Sequence, residues 1–265
     1  MLSAFTPETP SAENVDMIRE EAIVTIGDEV VAIYKKADFD LTAIRTACLR
    51  LKFPTIKRTS GLLTDTISVN ASPRNGKRTN MCRRTKFRYT DPRTHAIFIE
   101  YAQKIAKCYR AYFLKQYAKQ VKLVYSRQGV HRAYRIRKTP FTSGVINKNS
   151  ALGFHRDQAN TPDGISCMLC LKEGIAGGEL ILPELGIGFE CQDGYILLFD
   201  GQKYIHGVTP ILKPQTGIGY RYTIVYYNNK GMALCLPPKQ EQEFYDQYND
   251  KQNDRRYQKL INHER

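Results

Sequence analysis

Between residues 140 and 229 the chain is cut by glycine and turn residues into short β-rich runs, and this punctuation limits the fold more than any other feature. The runs are PFTSGVINKN, SALGFHRD, GISCMLCLKEG, GGELILPELGIGFEC, GYILLFDG, KYIHGVTPI and GYRYTIVYYNN. Short strands with turn signals at close intervals point to an all-β barrel or a double-sheet jelly roll. SALGFHRD is expected to be one of those strands.

Upstream the texture differs. The first dozen residues read as a loose tail, and EAIVTIGDEVVAIYKK (21–36) reads as a hairpin about an IGDE turn. LTAIRTACLRLKF (41–53) reads as a helix that Pro54 ends. Residues 57–93 mix Gly, Pro, Asn and Ser with many Arg and Lys, and are expected to be long, mobile, basic loops. Asp91-Pro92-Arg93-Thr94 supplies a helix start, and 96–120 places Ile97, Tyr101, Ile105, Cys108 and Tyr112 at helical spacing. The expected class is therefore α+β. A tail covers 1–20, a helical and basic-loop flank 21–138, the jelly-roll core 139–238, and a polar helix or frayed tail 239–265.

Charge sharpens the flank's role. The chain carries a formal +14, and residues 45–138 hold 24 of its 40 Lys and Arg against three Asp and Glu. A basic block on a near-neutral body suggests a polyanion-binding surface, with nucleic acid the default partner; the plain alternative is a solvated basic face. No run is long and apolar enough for a membrane span, and the N-terminus does not read as a secretory signal. Seven scattered cysteines, an odd number, are expected to be reduced thiols. The expected location is intracellular: the nucleus in a eukaryote, the cytoplasm otherwise.

The chemistry concentrates in GFHRDQAN (153–160). On a strand, residues two apart share a face, so His155 and Asp157 stand side by side and Arg156 turns away. His206, in YIHGV, is the natural third ligand. Two imidazoles and one carboxylate on one face of an octahedron leave open positions for a co-substrate and O2, as a non-haem Fe(II) oxygenase requires. HxD alone is a weak signal. It gains weight from Arg221 in GYRYTIVYY, with Thr223 on the same strand face: a guanidinium fork beside a hydroxyl receives a buried carboxylate. Cys167-x-x-Cys170 lies on a strand, where the two thiols face opposite sides, and reads as core. Asp200 reads as a turn cap. His95, His131 and His263 read as structural or surface residues, and Tyr226 and Tyr227 point to opposite faces. Asn147, a buried polar strand residue, is placed to contact co-substrate or substrate, or to bond the backbone.

His155-Arg156-Asp157, His206 and Arg221 resemble the HxD…H…R signature of 2-oxoglutarate/Fe(II)-dependent dioxygenases. GGELILPELGIGFECQDGYILLFDGQKYIHGVTPI is similar to that superfamily's connecting text, and the likeness covers roughly residues 140–229. It implies a double-stranded β-helix core, Fe(II) held by His155, Asp157 and His206, 2-oxoglutarate held by Arg221 and Thr223, and O2. HRDQAN resembles the TET/J-binding-protein branch, which oxidises the methyl group of 5-methylcytosine or thymine in DNA. There a polar residue three after the Asp contacts the target base; here it is Asn160. That branch carries a His eight residues after the clamp Arg, where this chain has Asn229. AlkB-type demethylases carry a second Arg six residues after the first, where this chain has Tyr227.

The resemblance implies hydroxylation of a 5-methyl group in duplex DNA with the base flipped out. HRDxxN favours 5-methylcytosine over thymine, and Asn160, Asn229 and Asn147 are the expected base contacts. Arg74, Lys77, Arg78, Arg83, Arg84, Lys86 and Arg88 are the expected contacts to the DNA backbone, with Phe87 or Tyr89 available to wedge or stack. Two alternatives stand beside this reading: the same chemistry on N6-methyladenine, RNA or protein, and a non-catalytic DNA-binding jelly-roll module.

Overall fold

The structure, a computed structural model, describes residues 9–57, 63–74, 81–214, 217 and 219–263, with side chains as far as residue 251. The chain begins with β1 (Asp16–Ile18) and the expected hairpin, β2 (Ala22–Ile26) to β3 (Glu29–Lys36). The expected helix follows as α1 (Thr42–Arg50) and stops ahead of Pro54. Next come β4 (Thr55–Lys57), β5 (Leu63–Ser72), β6 (Arg83–Arg84) and the short α2 (Phe87–Thr90). Among the described residues these correct the expectation of loops over 57–93; 58–62 and 75–80 lie outside the described residues. In β5, Ile67, Val69 and Ala71 alternate with Thr66, Ser68 and Asn70, a period-two pattern masked because its second face is polar.

Asp91 caps α3 (Pro92–Tyr112) as expected: its carboxylate accepts from the Thr94 amide at 3.1 Å, and Pro92 occupies the first turn. Hydrogen bonding from the Thr94 hydroxyl, and then from its amide, holds the Asp91 pKa below the usual carboxylate value. The helix expected over 96–120 is two helices. It breaks at Phe113, whose ring drops into the core at 3% exposure, and resumes as α4 (Leu114–Tyr125). Buried Phe98, Tyr101, Ala102, Ile105, Ala106 and Tyr109 form the inward stripe of α3.

The remaining strands are β7 (Ser143–Lys148), β8 (Ser166–Glu173), β9 (Ala176–Gly177), β10 (Leu180–Leu182), β11 (Ile187–Phe189), β12 (Tyr195–Phe199), β13 (Gly207–Val208), β14 (Ile211–Leu212) and β15 (Tyr220–Tyr227). The chain ends in α5 (Pro238–His263). SALGFHRD is not a strand. Only His155 pairs, through a single isolated bridge to His206.

Nine strands form the main sheet, in the order β2-β3-β12-β8-β15-β7-β5-β4 with β6 joined to β5. A smaller sheet, β1-β11-β10-β13, lies over one face. Strand alternation sorts the side chains. Cys167, Leu169, Leu171, Ile196, Leu198, Tyr222, Ile224 and Tyr226 pack with Phe98 and Ile105 of α3. Met168, Cys170, Leu197 and Phe199 pack with Leu180, Leu182 and Phe189 of the smaller sheet. Cys167 and Cys170 thus face opposite sides, as their spacing requires. Further along the second face the apolar lining gives way to Arg221, Thr223, Asn147 and Thr66, which the register sets side by side.

Two corrections concern the flank. The cysteines are not all free thiols, because Cys82 and Cys235 form a disulfide. Beside it Glu241 of α5, fully buried, accepts from Arg74 Nε and Nη2 and from the amides of Cys82 and Leu236. Arg74 is therefore the counterion of a buried carboxylate rather than a free phosphate contact. Phe87 cannot wedge into a duplex either, since it is buried edge-on to His95 and Phe98.

His95 itself is buried, and its Nε2 has no partner among the described residues. Burial, with Arg88 nearby, lowers its pKa to about 4. The unfolded chain therefore binds a proton near pH 6.5 that the native state refuses. Stability is full above that pH and falls toward pH 4 by up to roughly 1.4 kcal/mol per pH unit, roughly 3 kcal/mol in all. Urea midpoints measured across this window should show that loss in the wild type and a shallower slope in His95→Gln. Equal slopes would remove His95 as the cause.

Candidate active site

Backbone pairing assembles the three ligands. The His155 amide donates to the His206 carbonyl, and the His206 amide to the His155 carbonyl, each at 2.9 Å. A reciprocal pair of this kind sets the two α-carbons about 5.5 Å apart, and the imidazole centroids lie 4.3 Å apart. The Asp157 amide then donates to the Gly201 carbonyl at 2.8 Å, which turns its carboxylate toward both rings. A β-carbon on Gly201 would stand 2.6 Å from Asp157 Oδ2, so the carboxylate occupies space that only glycine leaves free.

The ligand atoms converge. Asp157 Oδ1 is 3.8 Å from His155 Nε2, and Oδ2 is 3.9 Å from His206 Nε2. All three ligand atoms fall within 4.8 Å of one another. Both rings are oriented by carbonyls: His155 Nδ1 meets Gly153 O at 2.8 Å, and His206 Nδ1 meets Tyr204 O at 3.1 Å. A carbonyl only accepts, so each Nδ1 carries the proton and each Nε2 presents a lone pair. Burial holds the His206 pKa below the ordinary imidazole value and favours this neutral form. Two imidazole nitrogens and a carboxylate are a donor set that suits Fe(II). Arg156 faces away, paired with Glu184 at 2.5 Å.

Asn160 and Ser166 brace the carboxylate. Asn160 Nδ2 donates to Ser166 Oγ at 2.9 Å, and both reach Asp157 Oδ2 through longer contacts of 3.4 Å. The sequence contained nothing that singled out Ser166. Asp200 caps its turn as expected, accepting from the amides of Gln202 and Lys203.

The co-substrate end of the site is Arg221. Its side chain is 1% exposed, yet Nε and Nη2 have no hydrogen-bond partner among the described residues. A β-carbon on Gly178 would lie 2.7 Å from its Cδ, so the Gly177-Gly178 turn makes room for the side chain. A buried guanidinium with open donors costs several kcal/mol, and a carboxylate that pairs with it recovers that cost. Thr223 stands on the same strand face. Its Oγ accepts from Asn147 Nδ2 at 3.4 Å, and Asn147 Oδ1 accepts from Thr66 at 3.0 Å. That row, including Thr66 on the strand the sequence hid, continues the polar wall beside Arg221.

The structure brings Asn160 and Asn229 together as a bridged pair, and both are buried. Asn229 Oδ1 accepts from the Gly231 amide, capping the turn Lys230–Leu234. Asn147 is engaged with Thr66 and Thr223 rather than with the backbone in these bonds. Of the expected DNA-backbone residues, Arg83 and Lys86 are exposed, Arg84 and Arg88 half-buried, and Tyr89 exposed. Lys77 and Arg78 lie outside the described residues.

A three-ligand metal site together with a buried guanidinium that has open donors is the donor set of a metal-dependent oxygenase. The family model described as "Oxygenase domain of the 2OGFeDO superfamily" (Tet_JBP) matches residues 67–230, and the chain belongs to that family. It is 26% identical over 132 residues to thymine dioxygenase JBP1 of Leishmania tarentolae, covering 49% of this chain and 16% of that protein. It is 25% identical over 146 residues to thymine dioxygenase JBP1-A of Trypanosoma cruzi (strain CL Brener), covering 55% and 17%. The chain thus spans about a sixth of the length of these curated relatives. Among solved structures, NgTET1 in complex with 5mC DNA superposes with a TM-score of 0.60 at 14% identity, covering 89% of this chain and 91% of that one. A 2OG-Fe(II) oxygenase family oxidoreductase from Burkholderia pseudomallei superposes at 0.51, with 16% identity and coverage of 76% and 89%.

Bracing of Asp157 should be measurable as metal affinity. Outer partners of ligating carboxylates typically contribute 10–100-fold. Anaerobic Co(II) titration, followed by absorbance, should show a loss of about tenfold or more in Ser166→Ala and Asn160→Ala, with Asp157→Ala abolishing binding. Wild-type affinity in both bracing variants would overturn the assignment.

Proposed function

We propose that this chain is an Fe(II)- and 2-oxoglutarate-dependent dioxygenase that hydroxylates the 5-methyl group of 5-methylcytosine in DNA. The core would be a double-stranded β-helix made by the facing main and smaller sheets. The observation that carries the reading is Arg221, a buried guanidinium with two open donors, in a chain that also assembles the His155, Asp157 and His206 cluster. A five-carbon diacid with a keto-acid end fits that pairing of cation and metal site.

In this reading His155, Asp157 and His206 hold the iron, and Arg221 with the Thr223 hydroxyl holds the distal carboxylate of 2-oxoglutarate. Iron bound there with 2-oxoglutarate and O2 supplies oxidative decarboxylation to succinate and CO2, coupled to hydroxylation of the methyl group. The chain's own work is orientation and exclusion of water. The Thr66–Asn147–Thr223 row fixes the wall beside Arg221, and Asn160 and Ser166 fix Asp157.

Asn160 also supports the cytosine assignment. Its Nδ2 faces the Asp157 carboxylate, which only accepts, and this favours the amide orientation that points Oδ1 elsewhere. With Nδ2 directed at Ser166 and Asp157, Oδ1 is the atom left to meet a base, and an acceptor there would suit the amino group of cytosine rather than the carbonyl of thymine. Thymine is the second reading, favoured by the names of the two curated sequence relatives. Arg83, Arg84, Lys86 and Arg88 support DNA as the polymer, with Tyr89 exposed for stacking.

Nucleoside mass spectrometry after incubation with Fe(II), 2-oxoglutarate and duplexes bearing 5-methylcytosine or thymine decides between the two. 5-Hydroxymethylcytosine with stoichiometric succinate is expected; 5-hydroxymethyluracil would establish the second reading, and neither product would sink both. Replacing a buried charged donor that pairs with a ligand costs about 2–5 kcal/mol, so Arg221→Gln should weaken 2-oxoglutarate use by roughly 30-fold or more. An unchanged KM for 2-oxoglutarate would remove Arg221 from that role.

A further inference from the structure

Strand β6 runs beside the 3-10 turn Arg132–Tyr134, and there two arginines are held in an unusual way. Arg84 donates its Nε to the Ala133 carbonyl at 3.0 Å, and Arg135 donates its Nε to the Val130 carbonyl at 2.5 Å. Each guanidinium plane is thereby fixed by backbone, while its terminal amino groups remain available. The Arg135 plane is further steadied over the Tyr125 ring, 4.9 Å from its centroid. Arg88 lies close enough to Arg84 to feel its charge, and His131 feels both Arg84 and Arg135.

Three of the described arginines are already neutralised. Arg45, Arg74 and Arg156 each pair with a carboxylate. Among the described residues no carboxylate pairs with Arg84, Arg88, Arg132 or Arg135. Like charges gathered without counterions repel, and the arrangement persists because a turn and a strand hold it. It lacks only an anion, and planar forks with two free amino groups match phosphate oxygens.

We infer that Arg84 and Arg135 form a preset clamp for the phosphodiester backbone of DNA. This rests on the DNA reading above and extends it to Arg135, which the sequence did not mark. Arg84 pairs across the sheet with Ala71, five residues along β5 from Thr66 in the polar row beside Thr223. At about 3.3 Å per strand residue the clamp lies about 17 Å from that row. That row is the co-substrate end of the site; the expected base contact Asn229 lies nearer the clamp, its amide donating to Thr142, whose neighbour Ser143 donates to the Ala71 carbonyl.

Fluorescence anisotropy of the full chain on a long duplex with a central 5-methylcytosine, across a range of salt concentrations, tests this. Each neutralised phosphate contributes about 0.9 to the slope of log affinity against log salt. Arg84→Gln/Arg135→Gln should bind about tenfold more weakly and lose nearly two from the slope, with its melting temperature kept. Should the double variant fold poorly, Arg135→Gln alone should lose about 0.9 from the slope with its melting temperature kept. A slope equal to wild type, in the double or the single variant, would overturn the clamp. A wild type that binds no duplex in a salt-dependent way would instead sink the DNA reading itself.

Discussion

The site depends on one reciprocal backbone pair. His155 and His206 lie 51 positions apart in sequence, and two amide-to-carbonyl bonds join them where neither belongs to a continuous strand ladder. That pair sets the ring separation, and the Asp157 amide on Gly201 sets the carboxylate. Because both Nδ1 atoms are tied to carbonyls two residues upstream, the rings have little freedom left. Preorganisation of this kind means that ordering of the ligands is achieved during folding rather than at metal binding.

Arg221 shows the opposite arrangement, a group left unsatisfied by the fold. Its neighbours are a glycine turn that gives it room and a strand register that places Thr223 and Asn147 beside it. The main sheet pays for this locally through the apolar packing of alternate residues, since Tyr220, Tyr222, Ile224 and Tyr226 on the same strand are all buried against the helices. One strand therefore anchors itself by one face and offers chemistry on the other. The same alternation divides Cys167 from Cys170.

Much of this was legible in the sequence, and the failures have physical causes. The hairpin at 21–36, the Asp91 cap and the triad could be read because each depends on local turn chemistry or on residue types with few other uses. SALGFHRD misled because Ala151, Leu152 and Phe154 give it the apolar content of a strand between turn residues, yet only His155 forms a β-bridge. Strand β5 was hidden because Thr64, Thr66 and Asn70 face a polar interior, so the usual contrast between inside and outside is missing. The break at Phe113 was hidden because an aromatic residue continues helical spacing whether or not its backbone does. The Cys82–Cys235 link joins residues 153 apart, a separation no local pattern encodes.

Positive charge was the least specific of the signals, because one residue type serves two purposes here. Arg74 lies in the same basic block as Arg84, but buried Glu241 consumes its charge, and four donors converge on that carboxylate. Arg84 spends only its Nε, on a neutral carbonyl, and keeps its charge. What separates them is the acid that α5 delivers to one and not to the other, a long-range fact of the fold. A block of arginines therefore identifies a surface only after the buried acids have been subtracted. What remains beside the turn at Arg132–Tyr134 is a set of fixed guanidiniums whose charges are balanced by nothing in the described chain.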